Sequence, residues 1–337
     1  MFQASVTAEA QRTQRYAEKA LTEFTGCGAD DSVRVMFPFR NILFPTDFSA
    51  HAHAALKYAA AFARHGHGRV LLLNVQDSKA PGNLPSQVTE LISDPLLTGV
   101  DTEPILAEGE PRVEIARAAI DHEIDLITVV MRERNRLSRA FGPSIAEEIV
   151  AESPCAVLAI RPPQRDFVEH RAGEAEIRLN RVLLATNFRP SSVAATQLAT
   201  QISNHLGAKL HVVYVIGDYF EQISVMFPEG GLAALMRLRS YVQERLGQLT
   251  RAGAPGTTTH IAEGRPYQEI VKLATSLDAD LIVIGTAVHG SLFGNSQVLG
   301  SEIERVIRNA PCPVLCVPAA KVLTPLPALV TQVVPQT

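Results

Sequence analysis

The feature that most narrows the fold of this chain is that its pattern is written twice. Residues 41–49 read NILFPTDFS and residues 181–189 read RVLLATNFR, 140 positions later. AEGEP at 107–111 returns as AEGRP at 262–266, and DLITVVM at 125–131 returns as DLIVIGT at 280–286, both 155 positions on. PCAVLAIRP at 154–162 matches PCPVLCVP at 311–318, 157 positions on. Four matches in one order define a tandem duplication, and a repeat of this size means two folding units. The widening offset places about fifteen extra residues in the middle of the second copy, near 217–250. A length of 337 residues fits two domains of ordinary size.

Each copy alternates short β-rich runs with helical patterns. In copy one the expected strands are Asn41–Thr46, Val70–Val75, Thr102–Ala107, Leu126–Met131 and Ala156–Ile160. Leu56, Ala59, Ala60 and Ala63 fall on one helical face, and Ile115, Ala116, Ala119 and Ile120 on another. In copy two the expected strands are Val182–Ala185, Leu210–Val215, His260–Ala262, Leu281–Ile284 and Val314–Val317. Leu198, Ile202 and Leu206 form a helical stripe that Gly207 closes. Strands almost continuous in Val, Ile and Leu need cover on both faces, so the pattern predicts βαβ units and parallel, doubly wound α/β sheets. Ligands of such sheets bind beyond the carboxyl ends of the strands, at the switch point.

The expected division is an N-terminal extension at 1–37 with a helix around Thr7–Phe24, a first domain at 38–162, and a polar linker at 163–178. A second domain follows at 179–318, then a loose tail at 319–337. The added segment of copy two contains a helical stretch, Leu232–Leu246, expected to cover the pocket mouth or a partner surface. Composition excludes several classes. With 31 Lys and Arg against 35 Asp and Glu, the whole chain lacks the basic footprint of a nucleic-acid binder. No apolar run approaches a membrane span, and the start MFQASVTAEAQR lacks the pattern of a secretory signal. Four cysteines are too few for a disulfide scaffold, so a cytoplasmic location is expected.

The sharpest local signal follows the strand at 281–284. Gly285, Gly290, Gly300 and Ser301 precede a helical run containing Ile303, Val306 and Ile307. Nine residues separate Gly290 from Gly300. Glycines let backbone amides approach an anion, and a helix N-terminus adds open donors, so this is a phosphate site in principle. The same residues also satisfy a plainer reading: Ser301 and Glu304 spell a capping box, and glycines after a strand serve as turns. In copy one Arg132, Asn135 and Pro143 stand where Ala287, Gly290 and Gly300 stand in copy two. Proline has no amide hydrogen, so the cradle is lost there, while Ser144 and Glu147 keep a capping box. Arg132, Arg134, Arg136 and Arg139 read as a solvated charged loop.

This constellation resembles the universal stress protein family. The shared order is a first strand ending in TD or TN, an EGxP turn and a DLIV-type fourth strand. The glycine loop and a Pro-Cys-Pro-Val-Leu fifth strand complete it. The resemblance implies two tandem Rossmann-like domains of adenine-nucleotide-hydrolase topology, a stress-response role and ATP binding, with Mg accompanying the ATP. ATP-binding members carry G-x2-G-x9-G-[ST]; Gly290-x9-Gly300-Ser301 fits, whereas Gly285 lies two residues too far upstream and Ala287 takes the place of the first glycine. The resemblance also implies a base contact at Asp47 in copy one and at Asn187 in copy two, with Val75 and Val215 flanking the base. Copy two is the expected site of an adenine nucleotide. The resemblance further implies that the fifth strands of the two copies pair within the chain as a pseudo-dimer, that a homodimer forms beyond it, and that a protein partner reads the state.

Other chemistry is less well supported by the residues. Cys312 and Cys316 face one side of a strand, but no His or Cys pair completes a zinc set, so buried thiols are expected. His51, His53, His65 and His67 are expected at the surface, as is His289 in the glycine loop. No P-loop and no paired-carboxylate or Ser-His-Asp signature occurs, so the expected role is binding and not catalysis. A nucleotide-independent scaffold and a slow ATP hydrolase are the alternatives.

Overall fold

The computed structural model describes residues 37–76, 86–131, 145–162, 164–171, 174–217, 228–252, 256–286 and 300–319. The expected helix at Thr7–Phe24 and the tail beyond residue 319 lie outside the described residues, as do Arg132–Ser144 and Ala287, His289 and Gly290.

Copy one runs β1 (Asn41–Pro45), α1 (Ala50–His53), α2 (Leu56–Gly66), β2 (Arg69–Gln76), α3 (Ser86–Ile92), β3 (Asp101–Glu108), α4 (Pro111–Asp121), β4 (Leu126–Val130), α5 (Ile145–Glu152) and β5 (Ala156–Ile160). A hairpin follows, β6 (Val168–Arg171) and β7 (Glu174–Ile177). Copy two runs β8 (Arg181–Ala185), α6 (Pro190–Leu206), β9 (Lys209–Gly217), α7 (Pro228–Ala252), β10 (Thr258–Gly264), α8 (Pro266–Ser276), β11 (Leu281–Thr286), α9 (Ser301–Asn309) and β12 (Val314–Pro318). Four of the helices, α4, α6, α7 and α8, open on a proline, whose fixed φ suits the first helical turn. Gly207 ends α6 in the left-handed conformation, as its sequence position predicts; His67 ends α2 the same way at the equivalent point.

All ten long strands join one sheet in the order β10-β9-β8-β11-β12-β5-β4-β1-β2-β3. Every pairing within a copy is parallel, and the two copies meet where β12 pairs antiparallel with β5, Leu315 opposite Leu158. The fifth strands thus pair inside one chain, and the strand order reads the same from both ends. Alternate residues of each strand feed two cores. Ile42 and Phe44 face one core, with Leu56 and Ala59 of α2, Ala199 and Ile202 of α6, and Val242 and Leu246 of α7. Leu43 faces the other, with Ile115 of α4, Ile149 of α5, Ile270 of α8 and Val306 of α9.

Two carboxylates pin the strand entries. Asp125 accepts from the amides of Arg40 and Asn41, and its repeat partner Asp280 accepts from those of Asn180 and Arg181.

Several expectations change. Ile120 is about half exposed, and Ala118 takes its place on the buried face of α4, because the helix turns that side toward solvent. The linker is not merely polar: Phe167, Val168 and Ala175 are buried, and the Phe167 ring packs edge-on to Tyr58 and Phe62. Phe37 is buried as well, among Phe39, Phe62, His65 and His205. The capping box of copy two does not form as expected. The cap of α9 is Gly300, Ser301 is the first helical residue, and no side chain caps the turn; Glu304 pairs with Arg308 instead. Ser144 lies outside the described residues, and the buried Glu147 carboxylate pairs with Arg308 of copy two.

Candidate functional site

In each copy the strand order reverses between the first and fourth strands, so the crevices lie beyond β1 and β4 and beyond β8 and β11. The turn leaving the first strand shares one hydrogen bond and one backbone conformation between the two copies. Thr46 Oγ1 accepts from the Phe48 amide at 2.9 Å, and Thr186 Oγ1 accepts from the Phe188 amide at 3.2 Å. Phe48 and Phe188 both take φ of 58°, a conformation costly for a side chain with a Cβ. The turn therefore holds strain at the mouth of each crevice. Asp47 and Asn187 sit exposed within it.

Asp47 Oδ1 accepts from the amide of Ser49 at 3.0 Å and from its hydroxyl at 2.6 Å. Asn187 Oδ1 accepts from the Arg189 amide at 3.1 Å and the Ser192 hydroxyl at 2.6 Å. Val75 and Val215 lie half-buried near the carboxyl ends of β2 and β9, next to these turns in the sheet. The EGxP turns end β3 and β10 with Gly109 at φ 135° and Gly264 at φ 136°, open only to glycine. A side chain there would also press on Glu114 or Glu269.

Gly285 lies within β11, and Gly300 caps α9. Gly290 lies outside the described residues. The amides of Ser301, Glu302 and Ile303 have no described acceptor, and the first backbone bond of the helix runs from Glu304 to the Gly300 carbonyl. Glu302 does not face the open amides: it accepts from the Tyr267 amide at 3.1 Å and pairs with Arg305. The structure thus brings Asn187, Val215, Gly285, Gly300 and Ser301 to one edge of copy two, and Asp47 and Val75 to the matching edge of copy one.

The two rims differ in charge, a difference the motif reading passed over. At three repeat-equivalent positions copy one carries Asp47, Ser49 and Glu110, a formal −2, and copy two carries Asn187, Arg189 and Arg265, a formal +2. Ser49 and Arg189 cap α1 and α6, and Glu110 and Arg265 cap α4 and α8, so all stand at the carboxyl edge. The signal stands in the repeated words themselves, TDFS against TNFR and AEGEP against AEGRP, at the positions where the two copies differ.

Helix α7 is the other addition. Leu238, Tyr241, Val242, Leu246 and Leu249 pack its later turns on the core, with Tyr241 edge-on to Phe188 and Phe188 stacked on Tyr214 at 5.1 Å. Arg239 pairs with Glu263 at 3.1 Å, level with the end of β10. About ten residues of α7 therefore run past the strand ends, roughly 15 Å at 1.5 Å per residue, beside the copy-two crevice.

The remaining candidates are structural. Cys155, Cys312 and Cys316 are buried, and burial pushes the thiols of Cys312 and Cys316 up to about 12. His51, His53, His65 and His67 are exposed; His53 lies 2.7 Å from Asp94, and no group of three or more potential metal ligands occurs among the described residues.

This is an α/β protein of two fused, doubly wound halves, each opening a ligand-type crevice at its switch point. The chain belongs to the universal stress protein family, whose model matches residues 38–161 and 178–318. A universal stress protein of Methanocaldococcus jannaschii is 31% identical over 151 residues, covering 42% of this chain and 83% of its own. A universal stress protein of Thermus aquaticus is 32% identical over 136 residues, 40% of this chain and 96% of its own. The fold is also that of a solved Archaeoglobus fulgidus universal stress protein, with TM-score 0.57, 23% identity, and 84% of this chain and 97% of that one covered. A Pseudomonas aeruginosa structure of unknown function gives TM-score 0.60 at 19% identity over 86% and 96%. No helix among the described residues is long and apolar enough to cross a membrane.

Proposed function

We propose that this protein is a nucleotide-responsive regulatory protein of the stress response, holding a nucleoside triphosphate in copy two, with a protein partner reading its occupancy. The charge reversal between the two rims carries this reading. A formal +2 at Arg189 and Arg265, beside the N-terminus of α9, attracts a polyanion, and copy one carries −2 at the same three positions. ATP, with Mg as counterion, is the ligand the resemblance implies. Asn187 and Val215 would then meet the base, and Gly285, Gly290, Gly300 and Ser301 the phosphates. Asp47 and Val75 would offer copy one a base contact without a cradle. Its role is binding and not turnover, in the cytoplasm, and a homodimer would extend the fused pair.

Calorimetry with ATP tests this. Heat in the wild type, lost in Gly290→Val and in Gly300→Val, is the expected result. The second variant is a fair probe, since Gly300 has φ of −53° and, among the described residues, an added Cβ would meet only Ile303 Cδ1 at 3.8 Å. No heat in the wild type overturns the proposal and leaves a nucleotide-independent scaffold. Phosphate release above background, lost in both variants, would make the protein a slow hydrolase.

A further inference from the structure

The sheet ends on β3 at one side and on β10 at the other, and these two strands are repeat equivalents. An edge strand turns every second backbone N–H and C=O to the open side, where another strand can pair with it. The ladder decides which residues do so. In copy one the Gly109 amide donates to the Gln76 carbonyl at 3.2 Å, so the odd-numbered residues of β3 face β2. Thr102, Pro104, Leu106 and Glu108 face outward. In copy two the Thr186 amide donates to the Val213 carbonyl, which turns Val213 toward β8 and, by alternation, Ile216 toward β10. Ile216 stands opposite Glu263, so Ala262 and Gly264 meet it, and Thr259, Ile261 and Glu263 face outward.

The two edges differ at their centres. Pro104 has no N–H and holds an outward position, so the β3 edge is interrupted where a further strand would bond. Asp101, Glu103 and Glu108 add three acids to the same strand. The repeat equivalent of Pro104 is Thr259, 155 positions on, and it is exposed. Strand β10 carries one acid, Glu263, which Arg239 pairs at 3.1 Å. Among the described residues no other segment takes the amides of Thr259, Ile261 or Glu263. One end of the sheet is closed to another strand and the other is open.

We infer that β10 is the surface on which two copies of this chain join, antiparallel about a two-fold axis, into one continuous sheet. The inference assigns a surface to the homodimer proposed above, and the nucleotide reading does not depend on it. A second copy fits this edge because the strand complements itself. With Ile261 opposite its own image, Thr259 meets Glu263 of the second copy, and the outward positions form about six backbone hydrogen bonds, two for each bonded pair. The chain already joins its own halves in this manner, β12 antiparallel to β5. A head-to-tail join of β10 onto β3 would instead propagate into a filament, and Pro104 blocks it, so assembly closes at two. Helices α7 and α8 both pack on β10, so the pairing brings each beside its image and widens the contact.

Sedimentation equilibrium of the full chain over a wide range of concentration tests this. The wild type is expected to show a monomer–dimer equilibrium and nothing larger. Thr259→Pro places in β10 the residue that closes β3; it removes an outward amide and no bond of the existing ladder. It should leave a monomer at every concentration, with the thermal midpoint of the dilute wild type. Thr259→Val keeps the amide and should keep the dimer. Amide hydrogen exchange reads the same surface without a substitution, and decides the matter if Thr259→Pro does not fold. The Thr259 and Ile261 amides should exchange about tenfold more slowly, or slower still, at concentrations that favour the dimer. A monomer at every concentration overturns the inference and the homodimer with it. A dimer that persists in Thr259→Pro, or that leaves those two amides exchanging as in the monomer, overturns the inference alone. Species larger than a dimer would show that β3 pairs as well, and also overturn it.

Discussion

A buried histidine and its half-buried neighbour illustrate how much a single side chain's surroundings decide. His211 of β9 and His260 of β10 face each other with Nδ1 and Nε2 3.2 Å apart. Burial, then the His260, Lys209 and Arg181 charges, bring His211 down to about 4; burial, then Lys209, lowers His260 as well. Each binds a proton less readily folded than unfolded, so the stability the pair contributes is complete above the ordinary histidine value of about 6.5. It is lost as pH falls from there toward about 4. Urea unfolding between pH 7 and 5 should show stability falling with pH, and His211→Gln should flatten that slope. An unchanged slope in the variant would assign the acid sensitivity to other groups. At this scale the sequence was only partly legible. Gly207 was readable as a helix stop, but the hydrogen bond from Ser192 to Asn187 was not, since Ser192 reaches the turn only after the helix has formed.

At the scale of the element, α7 shows how an insertion can be absorbed. Its 25 residues replace the 7 of α3 between the second and third strands. Leu246 and Val242 are buried while Met236 is 63% exposed, so the helix is anchored by its later turns. Leu246→Ala should cost about 2–4 kcal/mol in chemical denaturation, from lost burial and the cavity left behind. Met236→Ser should stay within about 0.5 kcal/mol. Equal costs would mean that the exposed end also packs. The helical run at Leu232–Leu246 is legible from its residues, which leave a pocket mouth and a partner surface both open to it, but its height against the sheet is not legible there. That followed from the Arg239–Glu263 pair, which sets the helix's height against the sheet.

At the scale of the molecule, the two copies are joined by more than strand pairing. Glu147, 6% exposed in the first turn of α5, pairs with Arg308 in the last turn of α9. The pair ties together the helices that follow the two loops after the fourth strands. Its repeat image is absent, because Ala151 stands where Arg308 would fall. Arg308→Met should destabilise the chain by about 3 kcal/mol, because it removes a guanidinium that compensates a buried carboxylate. Adding Glu147→Gln should recover much of that loss in a double-mutant cycle followed by urea unfolding. Additive costs would mean that the two side chains do not depend on each other.

The repeated words, the β-rich runs and the apolar helical faces determined two doubly wound halves, because burying such strands on both faces leaves few other solutions. Strand ends fell within one or two residues of expectation, and Asp47, Val75, Asn187 and Val215 all reached the crevice edges, since local pattern sets where a strand stops. The tertiary structure alone decided what those edges present. Charges separated by scores of residues, Arg189 and Arg265 among them, came to one carboxyl edge of the sheet only when the strands paired. Likewise the hydrogen bonds that Asn187 accepts from Arg189 and Ser192 exist only in the folded turn. Electrostatics and hydrogen-bond direction depend on distances through space, which a linear pattern does not contain.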